Sequence, residues 1–340
     1  MPNQIEIGRF DRLVLLGGGA LLVQLVEWAE TSGLPVAVIT SPRHAAEEPA
    51  SAGSLIEQLE ARNIPVIVAE NIESPDVKAF IGGTANNFCL SLGAAWIFKK
   101  NTIETLFKPA LYNLHGTRLP QDRGGGGFSW QILMGNRLGF CQLHIVDGGV
   151  DTGDIVLTDE FVYPPSCRTP LDYDRHYVGR SFEMVTSLLS ELRTGTATLN
   201  RTTQPDYLST YWPRLHTDTH GWIDWRWNAA DLERFICAFD EPYGGAQTYL
   251  GDKEVRLKSA IASNHERPFH PFQAGIVFHR TANWACIATA DGSLVVEKVL
   301  DSNGKNILSQ LRDGDIFSTP SEKLDAARAR VGYDAHGLAT

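Results

Sequence analysis

The segment ALYNLHGTRLPQDRGGGGFSWQILMGNRLGFCQLHIVDGGVDTGDIV (residues 110–156) gathers the side chains of this 340-residue sequence best suited to chemistry. Asn113 and His115 stand two apart at the end of an apolar run, so on a strand both project from one face. An amide can donate to developing negative charge, and an imidazole exchanges protons near neutral pH. Alone, such a pair is better read as a strand cap and the start of a turn. Its surroundings argue for more. Pro120, Arg123 and the glycines Gly124 to Gly127 follow at once, and VDGGVDTGD then sets Asp147, Asp151 and Asp154 among turn glycines. Polar, glycine-dense loops at a sheet edge commonly serve a ligand. The aspartate stretch lacks the ligand spacing and closing Glu of a calcium loop, which leaves a plain hairpin or a ligand loop.

The elements that must position these residues follow from hydrophobic patterning. Apolar runs at RLVLL (12–16), PVAVIT (35–40), IPVIV (64–68), FCLSL (88–92) and ALYNL (110–114) are separated by segments able to form helices, such as the Leu22, Leu25, Val26, Ala29 stripe. That alternation predicts an α/β fold: an open, mostly parallel, Rossmann-like sheet with helices on both faces. Ligands bind such sheets at the C-terminal ends of the strands, where Asn113 and His115 fall. IVLTDEFVY adds a strand, and Leu171 to Arg193 a long helix ending at Gly195. A Thr- and Pro-rich stretch from Thr196 to His220 reads as a linker. One helix (Asn228 to Phe239) and the runs AQTYL, EVRLKSAI, GIVFHR, WACIAT and SLVVEKVL then predict a small, OB-like β-barrel. The expected organisation is a first domain over 1–195, a linker over 196–220, a barrel domain over 221–320 and a tail over 321–340 that could hold a terminal helix.

Gly17, Gly18 and Gly19 after the first run invite a dinucleotide-binding reading. The fingerprint fails at Leu22, where its third glycine belongs, and at Ile39 and Thr40, where an acid should end the second strand. A tight strand-to-helix turn is the better reading. Thirty Lys plus Arg against forty Asp plus Glu leave a net charge of −10, which disfavours a nucleic-acid partner. The five cysteines are scattered with no CxxC pair, which argues against zinc and against a disulfide framework and fits a reducing compartment. His216 and His220 lie in the linker without a third ligand, so no metal is expected. The N-terminus has no signal-like apolar core and no run is long enough to span a bilayer, so a soluble cytoplasmic protein with no membrane partner is expected.

Three ordered motifs, NLHGTRLPQDRG (113–124), GFCQLH (139–144) and DGGVDTGD (147–154), together resemble the formyltransferases that use 10-formyltetrahydrofolate. GWIDWRWNAADLERFICAFDEPYGGAQTYL (221–250) is similar to the start of the barrel domain in the methionyl-tRNA and sugar members. The resemblance implies a catalytic trio of Asn113, His115 and Asp151, and the chemistry has a use for each. Formyl transfer between nitrogens passes through a tetrahedral intermediate, for which Asn113 offers an oxyanion donor, His115 a base or donor, and Asp151 a carboxylate that orients the imidazole. Which of His115 and Asp151 takes the amine's proton stays open at this point. The resemblance further implies a pterin slot against Trp96, Ile97 and Phe98 and against the backbone of Asp147, Gly149 and Val150, although Trp96 and Phe98 read equally as core residues. On the acceptor side it points to Thr117, Arg118 and Arg123. Arg118 replaces a frequent leucine; it could reach a phosphate or carboxylate, or be a solvated loop arginine. Gly125 to Gly127, followed by Phe128, replace a small-small-Pro pattern and are expected to loosen the loop.

The second domain helps to choose among acceptors. Single-domain formyltransferases of purine synthesis lack it, and folate-deformylating hydrolases usually carry a regulatory domain ahead of the core, where this chain has about a dozen residues. Methionyl-tRNA formyltransferases need a basic barrel and a basic insertion after the second strand. Here that stretch, SPRHAAEEPASAG (41–53), is net acidic, and residues 206–340 hold 14 Lys plus Arg against 18 Asp plus Glu. The expected acceptor is therefore a nucleotide-linked amino-dideoxysugar of surface-glycan synthesis, with methionyl-tRNA and folate hydrolysis as the alternatives. Trp222, Trp225 and Trp227 look exposed and suggest a homodimer, or else a seam between domains.

Overall fold

A computed structural model describes residues 4–49, 53–82, 86–263 and 268–338, so positions 50–52 of the acidic 41–53 stretch lie outside the described residues. The apolar runs form strands β1 (Arg12–Gly17), β2 (Val36–Thr40), β3 (Val66–Val68), β4 (Asn87–Leu92) and β5 (Leu111–His115). With β6 (Leu138–Ile145) and β7 (Ile155–Val162) they make a seven-stranded sheet ordered β3-β2-β1-β4-β5-β6-β7. The first five run parallel, and β6 and β7 double back antiparallel. Side chains alternate across the sheet as strand geometry requires. Leu13 and Leu15 of β1 enter one core, Val14 and Leu16 the other. The first core is closed by α1 (Ala20–Thr31), α3 (Leu55–Ala61) and α7 (Pro170–Thr194), the second by α4 (Pro75–Ile81) and α5 (Lys100–Leu106); the short α2 (Pro42–Ala46) follows β2. The strand order reverses between β1 and β4, so their following loops diverge and open a crevice at the strand ends.

The long helix α7 starts where its sequence says it should. Thr169 and Asp172 form a reciprocal capping box with Pro170 in the first turn, and Val178, Val185, Leu188, Leu189 and Leu192 form the buried stripe. The segment read as a linker is bonded along much of its length. Ala197–Asn200 pairs antiparallel with Gln4–Ile7, and Tyr211–Trp212 pairs in parallel with Arg123–Gly124. Short stretches with spare backbone donors and acceptors have joined the edges available to them.

Beyond α6 (Gly127–Leu133) and α8 (Ala229–Ala238), a six-stranded antiparallel sheet curls into a half-barrel. Its strands are β8 (Ala246–Leu250), β9 (Lys253–Ser263), β10 (Val277–Arg280), β11 (Ala285–Ala288), β12 (Ser293–Leu300) and β13 (Phe317–Ser318), in the order β10-β11-β12-β9-β8-β13. Its two edges meet, because Val277 donates its N–H to Asp315 at 2.8 Å and Phe317 donates to Gly275 at 2.9 Å. The tryptophans are not the exposed face expected of them. Trp222 and Trp225 are buried and Trp227 half-buried, stacked on Tyr249 and Phe317 and set edge-on to Phe235. Aromatic partners on α8, β8 and β13 satisfy these side chains within the protomer. Helix α9 covers only Ser321–Ala326, and a small pairing of Tyr333–Asp334 with Gly337–Leu338 follows. Among the described residues no helix is long and apolar enough to cross a membrane.

Leu15 is fully buried in the first core. Leu15→Ala should lower the unfolding free energy by about 2–5 kcal/mol in urea denaturation, since a cavity adds to the lost transfer energy; a loss below about 1 kcal/mol would show that β1 is not tightly packed.

Candidate active site

The antiparallel pairing of β5 with β6 sets Asn113 opposite His144 and His115 opposite Gln142. Asn113 and His115 therefore share a sheet face with a second histidine. His144 is buried, and its Nδ1 lies 3.0 Å from the Ile145 carbonyl oxygen. A carbonyl can only accept, so that nitrogen carries the proton and Nε2 is free to accept from the Asn113 amide, 3.0 Å away. The amide is thereby held with its nitrogen toward His144, and its second N–H stays available. Gln142 bridges elements: its Oε1 accepts from the Leu119 N–H at 2.6 Å and its Nε2 donates to Thr158 at 3.2 Å.

The orientation of His115 is fixed from the other side. Its Nε2 lies 2.8 Å from the Asp122 carbonyl oxygen and 2.7 Å from the Thr117 hydroxyl, which itself donates to that carbonyl at 2.8 Å. Acceptors on that side place the proton on Nε2, and Nδ1 faces Asp151 at 3.8 Å. The same carboxylate oxygen of Asp151 lies 3.6 Å from His144 Nε2, and the other accepts the Gly124 N–H at 3.1 Å. Burial by itself would raise the Asp151 pKa. The charge of His115 and His144 in their protonated forms, together with the Gly124 N–H, outweighs it and holds the carboxyl well below the usual carboxylate range.

Asp151 adopts a left-handed backbone (φ +53°), which Asp and Asn tolerate better than other non-glycine residues. Its loop is clamped by Gln204, whose amide donates to the carbonyls of Asp151 and Gly153 at 2.9 and 2.7 Å. The Gln204 oxygen accepts from Arg123 at 3.1 and 3.2 Å. Gly124, at φ +99°, approaches so closely that a Cβ would lie 2.4 Å from the Trp212 carbonyl. The glycine run thus packs against Tyr211–Arg214 rather than loosening the loop, as the sequence led us to expect.

Asn113, His115, His144 and Asp151 line one cavity of about 830 Å³ at the strand ends. Of the expected donor-side residues, Trp96, Ile97, Phe98, Gly149 and Val150 also line it. Trp96 is pinned through its indole N–H to the Glu70 carbonyl, Ile97 is exposed, and Phe98 packs edge-on to Phe107 as part of the second core. Asp147 does not line the cavity; its carboxylate closes its own turn by accepting from Gly149 and Thr152. On the acceptor side, Thr117 reaches the wall but is buried against His115. Arg118 lies outside, exposed, with its guanidinium over Phe140, and Arg123 is buried on Gln204 and Asp206. His144, Gln142 and Gln204 were not among the expected site residues. The GFCQLH motif signals the first two; nothing in TTQPDY signals Gln204.

The profile of the formyl transferase, C-terminal domain family matches residues 216–311. A methionyl-tRNA formyltransferase of Geobacter metallireducens is 24% identical over 296 residues, which cover 85% of this chain and 89% of that protein. Over most of its length the chain is similar to formyltransferases. Two solved structures share the fold of this chain at 18% identity. One is WlaRD, a sugar 3N-formyltransferase determined in the presence of dTDP and 5-N-formyl-THF, with TM-score 0.64 over 85% of this chain and 98% of that one. The other is an N-formyltransferase from Helicobacter canadensis in complex with folinic acid and dTDP-3-aminofucose, with TM-score 0.63 over 85% and 99%.

The low pKa of Asp151 has a sign that can be tested. A carboxyl depressed in the folded state adds stability that is fully present above its unfolded pKa of about 3.9 and is lost as pH falls from there toward the folded value. Wild-type enzyme should therefore resist urea better than Asp151→Asn at pH 7, with a smaller gap at pH 3. A gap that does not change with pH would show that the carboxylate is not held ionised by its neighbours.

Proposed function

We propose that this chain transfers a formyl group from 10-formyltetrahydrofolate to the amine of a nucleotide-linked amino-dideoxysugar. The observation that carries the reading is the convergence of Asn113, His115 and Asp151 on one cavity. The amine adds to the formyl carbon, and the carbonyl oxygen becomes an oxyanion. Asn113 stabilises it through the N–H that His144 leaves free. The amine's proton passes to His115 Nδ1, and Asp151 stabilises the resulting imidazolium. Asp151 is too weak a base for that proton, because its neighbours hold it ionised far below neutral pH. Collapse of the intermediate breaks the bond to the folate nitrogen, which takes the proton back from His115.

For the donor, Trp96, Ile97, Phe98 and Val150 supply an apolar wall suited to a flat heteroaromatic ring. The folates in the two structural neighbours support the donor, and dTDP-3-aminofucose in one of them supports the acceptor class. We place the reaction in the cytoplasm, in keeping with cysteines that are scattered and form no CxxC motif in the sequence. Methionyl-tRNA is the second reading, favoured by the Geobacter relative and opposed by the acidic balance of residues 206–340.

Purified protein given 10-formyltetrahydrofolate and a panel of nucleotide-linked amino sugars should yield a formylated sugar by mass spectrometry. Formylation of methionyl-tRNA alone would replace the acceptor, and folate release without any acceptor at the full rate would make it a hydrolase. His115→Ala should lose roughly a hundredfold or more in kcat, and Asn113→Ala a comparable factor. Near-normal turnover in either variant would remove that residue from the mechanism.

A further inference from the structure

The cavity lining includes three arginines that the formyl-transfer chemistry does not use. Arg43 belongs to α2, at the end of β2; Arg214 follows the strand that pairs with the glycine run; Arg330 comes from the C-terminal tail. Arg43 is half-buried. Its Nη2 donates to His44 Nε2 at 2.6 Å, and its Nη1 stands 3.8 Å from Glu47. Its Nε is buried and finds no hydrogen-bond partner among the described residues. Burial, Arg43 and Arg214 push the His44 pKa down to about 4, so that imidazole is neutral and adds no charge. Arg214 and Arg330 are exposed to the cavity, and Glu47 is the carboxylate that faces Arg43. The three guanidinium groups stand with Glu47, while the cavity's other carboxylates, Asp151 and Asp174, come from the loop beside His115 and from α7, in a chain whose total charge is −10.

The tail is fastened where it would have to be to complete this corner. His220 Nε2 contacts the Ala329 carbonyl at 2.9 Å, and the Tyr333 hydroxyl donates to the Leu215 carbonyl at 3.1 Å. The Arg43 N–H donates to the Ala335 carbonyl at 3.3 Å. The Arg214 guanidinium lies 4.5 Å over the Tyr333 ring, which braces it without using its donors. Arg330 also borders a second, apolar cavity of about 1110 Å³ beside the barrel, so the tail forms the partition between the two.

We propose that the C-terminal segment 329–338 is a strap that completes a diphosphate subsite, with Arg330 and the braced Arg214 joining Arg43 to hold the phosphates of the acceptor. This rests on the reading of the site as an amine formyltransferase. The spacing suits it. β2 lies three strand spacings from β5, about 14 Å. An extended arginine side chain closes much of that span and leaves room for one sugar ring between the amine at His115 and the phosphates. Guanidinium forks match phosphate oxygens in geometry as well as charge.

Isothermal titration with inorganic pyrophosphate and, separately, with 5-formyltetrahydrofolate tests the proposal. Wild-type protein should bind pyrophosphate; Arg214→Ala and Arg330→Ala, both at exposed positions, should each bind it about tenfold more weakly or worse, with 5-formyltetrahydrofolate affinity retained. In the formylation assay the loss should fall on KM for the nucleotide-linked sugar. No pyrophosphate binding by wild type, or unaltered affinity in both variants, overturns the subsite. Parallel loss of folate affinity also overturns it, because the corner would then hold the donor's carboxylates. If pyrophosphate binding depends on these arginines while no amino sugar is formylated, the subsite stands and the acceptor reading falls.

Discussion

A buried carboxylate stays charged only where donors and cations replace the water it has lost, and the parallel-sheet half of this molecule meets that requirement at Asp151. Its two oxygens face His115 and His144 on one side and the Gly124 N–H on the other. Those partners come from β5, from β6 and from the loop between them, and the backbone of Asp151 is fixed by Gln204 from beyond α7. No single segment could supply this environment. The register of β5 against β6 decides which residues stand opposite each other, and a slip of one residue would turn Asn113 and His115 to the opposite face.

The same requirement explains why the segment between the two sheets is not a tether. Arg123 is buried with its guanidinium on Gln204, and Gln204 spends its amide on the carbonyls of the Asp151 loop. Removing either partner would strand a buried polar group, which is far costlier than the bond is worth when made. Gly153 belongs to this arrangement as well, since a Cβ there would lie 1.8 Å from the Ile145 carbonyl. Arg123 therefore bears on the cavity through the position of Asp151, although its type and place in the motif had suggested contact with the acceptor.

Much of the fold was legible in the sequence because each central parallel strand is buried on both faces and reads as an unbroken apolar run. β6 was legible as a motif and not as a strand. Gln142 and His144 interrupt LGFCQLHI with polar side chains that are nonetheless buried, tolerated because Leu119, Thr158, Asn113 and Ile145 satisfy them. Local pattern carries no record of such distant partners. The tryptophans were misjudged for the same reason: in GWIDWRW the flanking Asp224 and Arg226 suggest surface, whereas Tyr249, Phe317 and Phe235 provide the burial. That Asn113, His115 and Asp151 share one cavity was legible because they lie within one short stretch. Gln204 and the arginines of the tail and linker lie outside it, in segments with no hydrophobic period to place them.

Total charge and local charge answer different questions about the acceptor. At physiological salt the field of an exposed charge fades within about 8 Å, so a net charge of −10 spread over the surface need not reach into the cavity. An RNA stem must lay many phosphates across a wide face, and each acidic patch along that face weakens it. A small anion needs only the corner it enters. A net acidic chain with Arg43, Arg214 and Arg330 among the residues lining one cavity is thus less suited to a polyanion than to a compact, doubly charged ligand. The cavity's low-dielectric walls strengthen that contrast, because the attraction between a guanidinium and a phosphate grows as water is excluded around them.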